Sequence, residues 1–252
     1  MEFIYNFNAL PFLNKRDLML KDYLVKRMEF EIQELLFLQN KSWQFVQIEA
    51  PCLIPRELVN ANYTDEDIWV QEQHNHDAIV LKPETTASSY LYMEYLLKSQ
   101  HYMPPLCVWQ TSKSFRREQD QVTKHCRYKE FYQQEFQCLY TKDTKNNYQE
   151  SIIEPLAKIF LDVIALPTRI VLSDRLPDYS LKTIDIEVFN NDKWMEVCSV
   201  SLRKDFTYQP MVKNQPRDCF VLEIAFGLER LIYNINQRQT VFKALTVTNE
   251  LQ

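Results

Sequence analysis

Residues 113–140 read KSFRREQDQVTKHCRYKEFYQQEFQCLY, two alternating runs, SFRRE and RYKEFYQQEFQ, on either side of a polar stretch at 119–126. A period of two puts Arg116 and Glu118 on one face of a first strand, and Arg127, Lys129, Phe131, Gln133 and Glu135 on one face of a second. Such a face suits a nucleotide: guanidinium takes phosphate, the ring stacks on a base, and carboxylate takes an exocyclic amine or a ligand ammonium. Charged residues on other predicted strands and their ends extend the set to Glu84, Glu187, Glu196, Arg203, Glu223 and Arg230. Acids and arginines on one sheet face form either a polyphosphate-plus-amine site, with carboxylates for Mg²⁺, or a water-facing surface laced with cross-strand ion pairs. The four histidines follow no hydrolase order, and His74 and His76 read as an exposed loop rather than a metal site.

The elements that must position these residues follow from periodicity. Residues 17–38 keep apolar positions near helical spacing, with Leu18, Leu20, Tyr23, Leu24, Met28, Ile32, Leu35 and Leu36 as the expected inner face. Phe45, Val46 and Ile48 mark a strand that ends at Pro51 and Pro55, a pattern of an edge or an interface. Residues 78–81 predict a strand and 85–99 a helix, with Glu84 at the junction behind Pro83. There it either points at a ligand or complements the helix dipole. LPTRIVLSDRL predicts a strand, and residues 183–206 a hairpin turning at Asn190, Asn191 and Asp192. A last strand at 219–224 leads into a helix near Gly227. The whole reads as an α+β fold on an antiparallel sheet.

Composition narrows the chemistry further. The 252 residues are 46% hydrophobic and 25% charged, which excludes a disordered chain. Gly227 is the single glycine, so no glycine-rich phosphate loop or dinucleotide fingerprint can be built, and side chains must hold any phosphate. Six cysteines without CxxC spacing, and an N-terminus broken by polar residues and a proline, predict a soluble cytoplasmic protein with reduced thiols and no membrane span. A net charge of −5 leaves any nucleic-acid contact to local patches.

Taken in order, the fragments resemble the catalytic core of the class II aminoacyl-tRNA synthetases, and glycyl-tRNA synthetase most. LKPET at 81–85 is similar to that family's L-R-P-E-T-A-Q, and PLCVWQTSKSFRRE at 105–118 to P-F-A-A-A-Q-I-G-K-S-F-R-N-E. RYKEF, after a loop of the same length, is similar to R-V-R-E-F. LPDYSLKTIDIEV resembles H-Y-A-K-x-T-x-D-I-E, and WMEVCSVSLRKDF resembles G-W-x-E-x-x-G-I-A-x-R-T-D-Y. VLEIAFGLERL resembles V-I-E-P-S-F-G-I-G-R-L.

The resemblance implies one catalytic domain over 1–252, a class II synthetase-like antiparallel sheet flanked by helices, with motif 1 near 17–55, motif 2 near 113–140 and motif 3 near 219–235. It implies that Arg116 takes the ATP α-phosphate and Arg230 the γ-phosphate. Glu118 meets the adenine amine side, Phe131 stacks on adenine, and Arg127 joins the same site. Glu84, Glu135, Arg203 and Glu223, with Ala225, surround the amino acid, glycine first, and Glu196 with Ser199 serves ATP-bound Mg²⁺. The implied reaction is ATP-dependent formation of an aminoacyl-adenylate and transfer to a tRNA acceptor end, by a homodimer joined through motif 1.

The chain departs from the glycyl pattern at several points. Ala225 stands in place of a serine, Ser199 and Ser201 in place of glycine and alanine, and Glu229 in place of a small residue, where it either alters phosphate binding or points to solvent. The chain ends soon after motif 3, so an anticodon-binding domain is expected to be absent. Arg117, Lys124, His125 and Lys204 are left to meet an acceptor stem. A ligase for a carrier protein, and a catalytically inactive paralogue serving as a binding or accessory subunit, are the alternatives.

Overall fold

The structure, a computed structural model, describes residues 4–74, 77–117, 127–142, 147–174 and 176–249. A hairpin of β1 (Tyr5–Phe7) and β2 (Leu10–Phe12) precedes α1 (Lys15–Gln39), β3 (Gln44–Gln47), β4 (Leu53–Pro55), β5 (Trp69–His74) and β6 (Asp77–Leu81). Next come α2 (Thr86–Lys98), β7 (Leu106–Phe115), β8 (Glu130–Thr141), α3 (Tyr148–Ile164), β9 (Thr168–Leu172), β10 (Ser180–Asn190) and β11 (Lys193–Arg203). The small hairpin β12 (Met211–Val212) and β13 (Gln215–Pro216), then β14 (Cys219–Gly227) and α4 (Leu228–Asn249), complete the chain.

Seven strands form the main sheet in the order β3-β7-β8-β14-β11-β10-β9. Every pairing is antiparallel except β3 with β7, so the predicted edge strand is indeed at an edge, joined in parallel. The strand at β6 belongs instead to a separate three-stranded sheet, β4-β6-β5.

Alternation along these strands separates two faces. On β14, Leu222, Ile224 and Phe226 point into a large apolar core, and β8 adds Phe136 and Cys138 to it. That core is closed by Leu24, Met28, Ile32 and Leu36 of α1, by Ile152, Leu156 and Phe160 of α3, and by Leu228, Leu231 and Ile232 of α4. Each such side chain, fully buried, contributes about 1.5–3 kcal/mol. The opposite face is apolar over only part of its area, where Met93, Leu96 and Leu97 of α2 cover Leu106, Val108, Leu139 and Val221. Beyond α2 that face carries polar residues.

Local chemistry explains the boundaries. Asn14 caps α1 by accepting from the Arg16 and Asp17 amides, and the Asp17 carboxylate accepts from the Asn14 amide at 3.2 Å, a reciprocal box worth roughly 1 kcal/mol. Asp17 is itself buried and accepts from the Asn236 amide of α4 at 3.0 Å. The β10–β11 turn falls where expected, with Asn191 and Asp192 at φ 49° and 59°, the left-handed pair that a tight hairpin needs. Positive φ elsewhere also falls on residues other than glycine, Asn8 and Asn214 among them, while Gly227 is not in that region.

Two expectations need correction. Leu18 and Tyr23 are exposed, because α1 meets the core through a narrower i, i+4 stripe of Leu24, Met28, Ile32 and Leu36. Its other side shows a second apolar row, Met19, Tyr23, Phe30 and Phe37, all exposed. Helix α3 has no counterpart in the sequence reading; Pro155 lies inside it, where a proline argues against a helix. Among the described residues no helix is long and apolar enough to cross a membrane.

Candidate functional site

The polar half of the sheet's open face is organised in rows by strand register. One row runs Gln110, Glu135, Ala225, Ser199, Asp185, from β7 to β10. The next runs Gln137, Glu223, Ser201, Thr183. A cavity of about 300 Å³ stands on these rows, and its walls include Glu84, Arg116, Arg127, Phe131, Glu135, Glu196, Ser199, Glu223, Ala225 and Arg230. The predicted residues therefore converge, although they come from strands far apart in sequence. Arg203 is not among the walls but bonds Glu223, which is, and it is only 1% exposed. Glu118, Lys124 and His125 fall outside the described residues.

At the deep end three carboxyls and one guanidinium meet away from water. Arg203 Nη1 donates to Glu223 Oε2 at 2.5 Å, and its other nitrogens grip Asp205 at 3.1 and 2.6 Å. Its guanidinium also lies 3.8 Å from the centre of the Tyr179 ring. Glu135 accepts from the hydroxyls of Thr85 and Thr86 and from the Gln137 amide, which also reaches Glu223 at 2.8 Å. Glu84 accepts from the Tyr63 hydroxyl at 3.2 Å; it faces the cavity rather than capping α2.

These contacts push the carboxyls apart in acidity. Burial, the neighbouring Glu223 and Glu84 charges, and a hydrogen bond with Glu223 raise Glu135 to about 8. Burial also opposes the charge on Glu223, but Arg203 and the bonds from Glu135, Gln137 and Arg203 outweigh it and hold Glu223 below the ordinary range. Glu135 and Glu223 thus share a proton at neutral pH, with the charge on Glu223. Burial raises Glu84 as well, against the pull of Arg203 and Arg116.

The outer end is more open and is held largely by backbone. Arg116 Nε donates to the Pro83 carbonyl at 3.0 Å, and its guanidinium lies 5.3 Å from the Phe131 ring centre. Arg230 donates to the Glu196 carbonyl at 2.7 Å and to its carboxylate at 3.3 Å. Arg127 is exposed at the rim.

A bulge decides what joins this end. Glu196 and Ser199 are three apart and would face opposite ways on a regular strand. The β10–β11 register shifts between Ile186 and Glu187, leaving Val197 unpaired. Val197 and Cys198 both turn into the core, and Glu196 comes round to the cavity face. Ser199 bonds Asp185, whose acidity is weakened by burial and by the Glu196 charge. Glu187, the remaining predicted acid, pairs with Arg169 at 2.7 Å and is not among the cavity walls.

Of the two readings of Glu229, the solvent-facing one is corrected: the residue is 2% exposed, lies among the cavity walls with Arg230, and has both carboxylate oxygens 2.9 Å from the Tyr132 amide. The acceptor-stem candidates that are described lie to the side: Arg117 is exposed, its guanidinium 5.7 Å from the Trp69 ring centre, and Lys204 is exposed next to Arg203. Thr85, Thr86, Gln137, Asp185 and Asp205 were not singled out from sequence. Alternation from Glu135 could have found Gln137, and Asp205 lies two residues beyond Arg203.

The arrangement has a buried end with an excess of carboxyls over the single Arg203 guanidinium, fit for an ammonium group, and an arginine-and-ring end fit for a polyphosphate and a base. The model of the tRNA synthetase class II core domain (G, H, P, S and T) matches residues 68–238. Glycine–tRNA ligase of Mycoplasma capricolum is 29% identical over 175 residues, 62% of this chain and 38% of that protein. Its counterpart from Bifidobacterium longum is 24% identical over 172 residues, 66% of this chain and 35% of that protein. The chain thus spans well under half the length of these curated relatives. Prolyl-tRNA synthetase from Cryptosporidium parvum, solved with halofuginone and AMPPNP, superposes with a TM-score of 0.74 at 15% identity, covering 93% of this chain and 49% of that one. The Giardia lamblia enzyme, solved with prolyl-adenylate, gives 0.75 at 14% identity over 92% and 49%. At such identity the likeness is one of fold.

Proposed function

The chain belongs to the class II tRNA synthetase core-domain family, and from that membership we propose that it activates an amino acid, glycine first, with ATP and passes it to a tRNA acceptor end. The observation that carries this reading is the single sheet face with a buried acidic end and an arginine-and-ring outer end opening into one cavity. Glu84, Glu135 and Glu223 surround the ammonium group, with Ala225 and Ser199 narrowing the space for a side chain. Phe131 stacks on adenine with Glu118 and Arg127 beside it, Arg116 takes the α-phosphate, and Arg230 the γ-phosphate.

In the first step a carboxylate oxygen of the amino acid attacks the α-phosphorus, forming an anhydride bond while the bond to the bridging oxygen of pyrophosphate breaks. No general base is required, because the attacking carboxylate is already ionised at neutral pH. Arg116 and Arg230 stabilise the charge that grows on the phosphoryl oxygens, and one such donor is worth about 2.7–4 kcal/mol. Asp185 and Glu196, crowded enough that Glu196 hinders ionisation of Asp185, fit a cation that relieves the repulsion, with the Ser199 hydroxyl at hand. Two carboxylates plus substrate phosphates are a usual Mg²⁺ set, and the ion would neutralise phosphate charge when bound.

The exposed row Met19, Tyr23, Phe30 and Phe37 on α1, flanked in sequence by Tyr5, Phe7 and Phe12, supports a homodimer through this face.

Exchange of labelled pyrophosphate into ATP, run across the amino acids with Arg116→Ala as control, tests the proposal. Glycine-dependent exchange that Arg116→Ala abolishes is expected. ATP binding without exchange on any amino acid would leave the chain a binding subunit.

A further inference from the structure

Strand β14 pairs with β8 residue by residue until Gly227 faces Gln133, and there it stops because Leu228 begins α4. The next β8 residue outward, Tyr132, still needs an acceptor for its amide, since a buried N–H left unpaired costs about 1–3 kcal/mol. Glu229 supplies it. Both carboxylate oxygens lie 2.9 Å from the Tyr132 nitrogen, so one side chain continues the ladder that the strand has left.

The placement matters because Tyr132 directly follows Phe131. Phe131 is the ring beside Arg116, and its edge lies 3.9 Å from where a Cβ on Gly227 would stand. Glu229 is also the residue before Arg230. One buried carboxylate therefore ties the start of α4, which carries a phosphate-binding arginine, to the start of β8, which carries the stacking ring. The groups facing this junction are Lys21 of α1, 4.3 Å from the Tyr132 ring centre, and Lys113 of β7, 5.6 Å from it, the latter paired with Glu130. The hydrogen bonds of Glu229 run to backbone amides, that of Tyr132 and its own. Burial pushes the Glu229 carboxyl up to about 7, against those amides and the two lysines, which fits a side chain kept for its geometry rather than its charge.

We propose that Glu229 is a positioning residue for the nucleotide end of the site, fixing Phe131 relative to Arg230 by replacing the strand that β14 stops providing. The proposal rests on the ATP reading given above. It predicts that the acceptor oxygen is what counts, so that glutamine serves in its place while alanine and aspartate do not.

The test combines ATP titration by calorimetry with amide hydrogen exchange of peptides covering 130–133, on the wild type and on Glu229→Gln, Glu229→Asp and Glu229→Ala. Glu229→Asp keeps the charge and loses the reach, and stands in for Glu229→Ala should that variant fail to fold. Wild type and Glu229→Gln are expected to bind ATP within about threefold of each other and to protect the Tyr132 amide equally. Glu229→Asp and Glu229→Ala are expected to weaken ATP by about tenfold or more and to speed exchange at that amide. Unchanged ATP affinity in Glu229→Ala or Glu229→Asp, or a Tyr132 amide as protected there as in wild type, overturns the proposal alone. Failure of the wild type itself to bind ATP overturns the ATP reading together with it.

Discussion

The two ends of the cavity stand on one sheet face, yet they are built in opposite ways. At the deep end Glu135, Glu223 and Arg203 are no more than 5% exposed and are held by side-chain partners, Thr85, Thr86, Gln137 and Asp205. At the outer end Arg116 and Arg230 rest on the carbonyls of Pro83 and Glu196 and keep contact with water. A buried, densely bonded cluster can discriminate a small ligand sharply, because any group it holds must match bonds that are already fixed. An open pair of arginines recognises charge and admits a large, flexible polyphosphate. Under the proposed function that difference divides the labour, with selectivity falling to the deep end and charge stabilisation to the outer one.

Removing the central cation should show the largest contrast. Arg203→Met strands Glu223 and Asp205 without their partner, and a loss of about 3–5 kcal/mol is expected in urea unfolding, because one half of a buried pair remains. A loss below about 1 kcal/mol would mean that the deep end is wetter than described.

Titration should give the next largest effect. Glu135 is raised above its usual 4.5 to about 8, so its contribution to stability is complete at low pH and is lost as pH rises through about 8. Glu229, raised to about 7, acts in the same direction. Glu223 is lowered, so its contribution is present above the ordinary carboxyl range and is lost in acid. Stability should therefore fall as pH rises from about 4.5 to about 8 and level off above that, and Glu135→Gln, which keeps a donor toward Glu223, should flatten much of that fall. An equal slope in the variant would deny the shared proton.

The outer end should barely register in such measurements. Arg230→Ala removes a half-exposed pair with Glu196, and a stability change under about 1 kcal/mol is expected alongside a loss of exchange activity of about 100-fold or more. A large loss of stability there would erase the contrast between the ends.

How much of this was legible in the sequence follows the same division. Strand alternation placed Phe131, Gln133 and Glu135 on one face, and the hairpin at Asn191 and Asp192 fell where its turn residues put it. Period two also implied that Glu196 and Ser199 part company, and only the bulge at Val197, which leaves no mark in a single sequence, reunites them. For Glu229 the sequence left a solvent-facing role open because a helix-start glutamate is ordinarily a surface residue, and its acceptor role depends on where a neighbouring strand ends. Asp205 and Thr86 escaped notice because their partners, Arg203 and Glu135, are distant along the chain or lie across a strand end. The exposed row on α1 lay partly among residues expected inside, since the apolar pattern of that helix serves two faces and periodicity alone does not separate them.

The division of labour is tested most directly by measuring glycine-dependent pyrophosphate exchange for Glu223→Gln and Arg230→Ala, titrating glycine and ATP separately. The account predicts that Glu223→Gln raises KM for glycine by about 100-fold while KM for ATP stays within about threefold, and that Arg230→Ala does the reverse or lowers kcat. Equal losses in both titrations for both variants would contradict it.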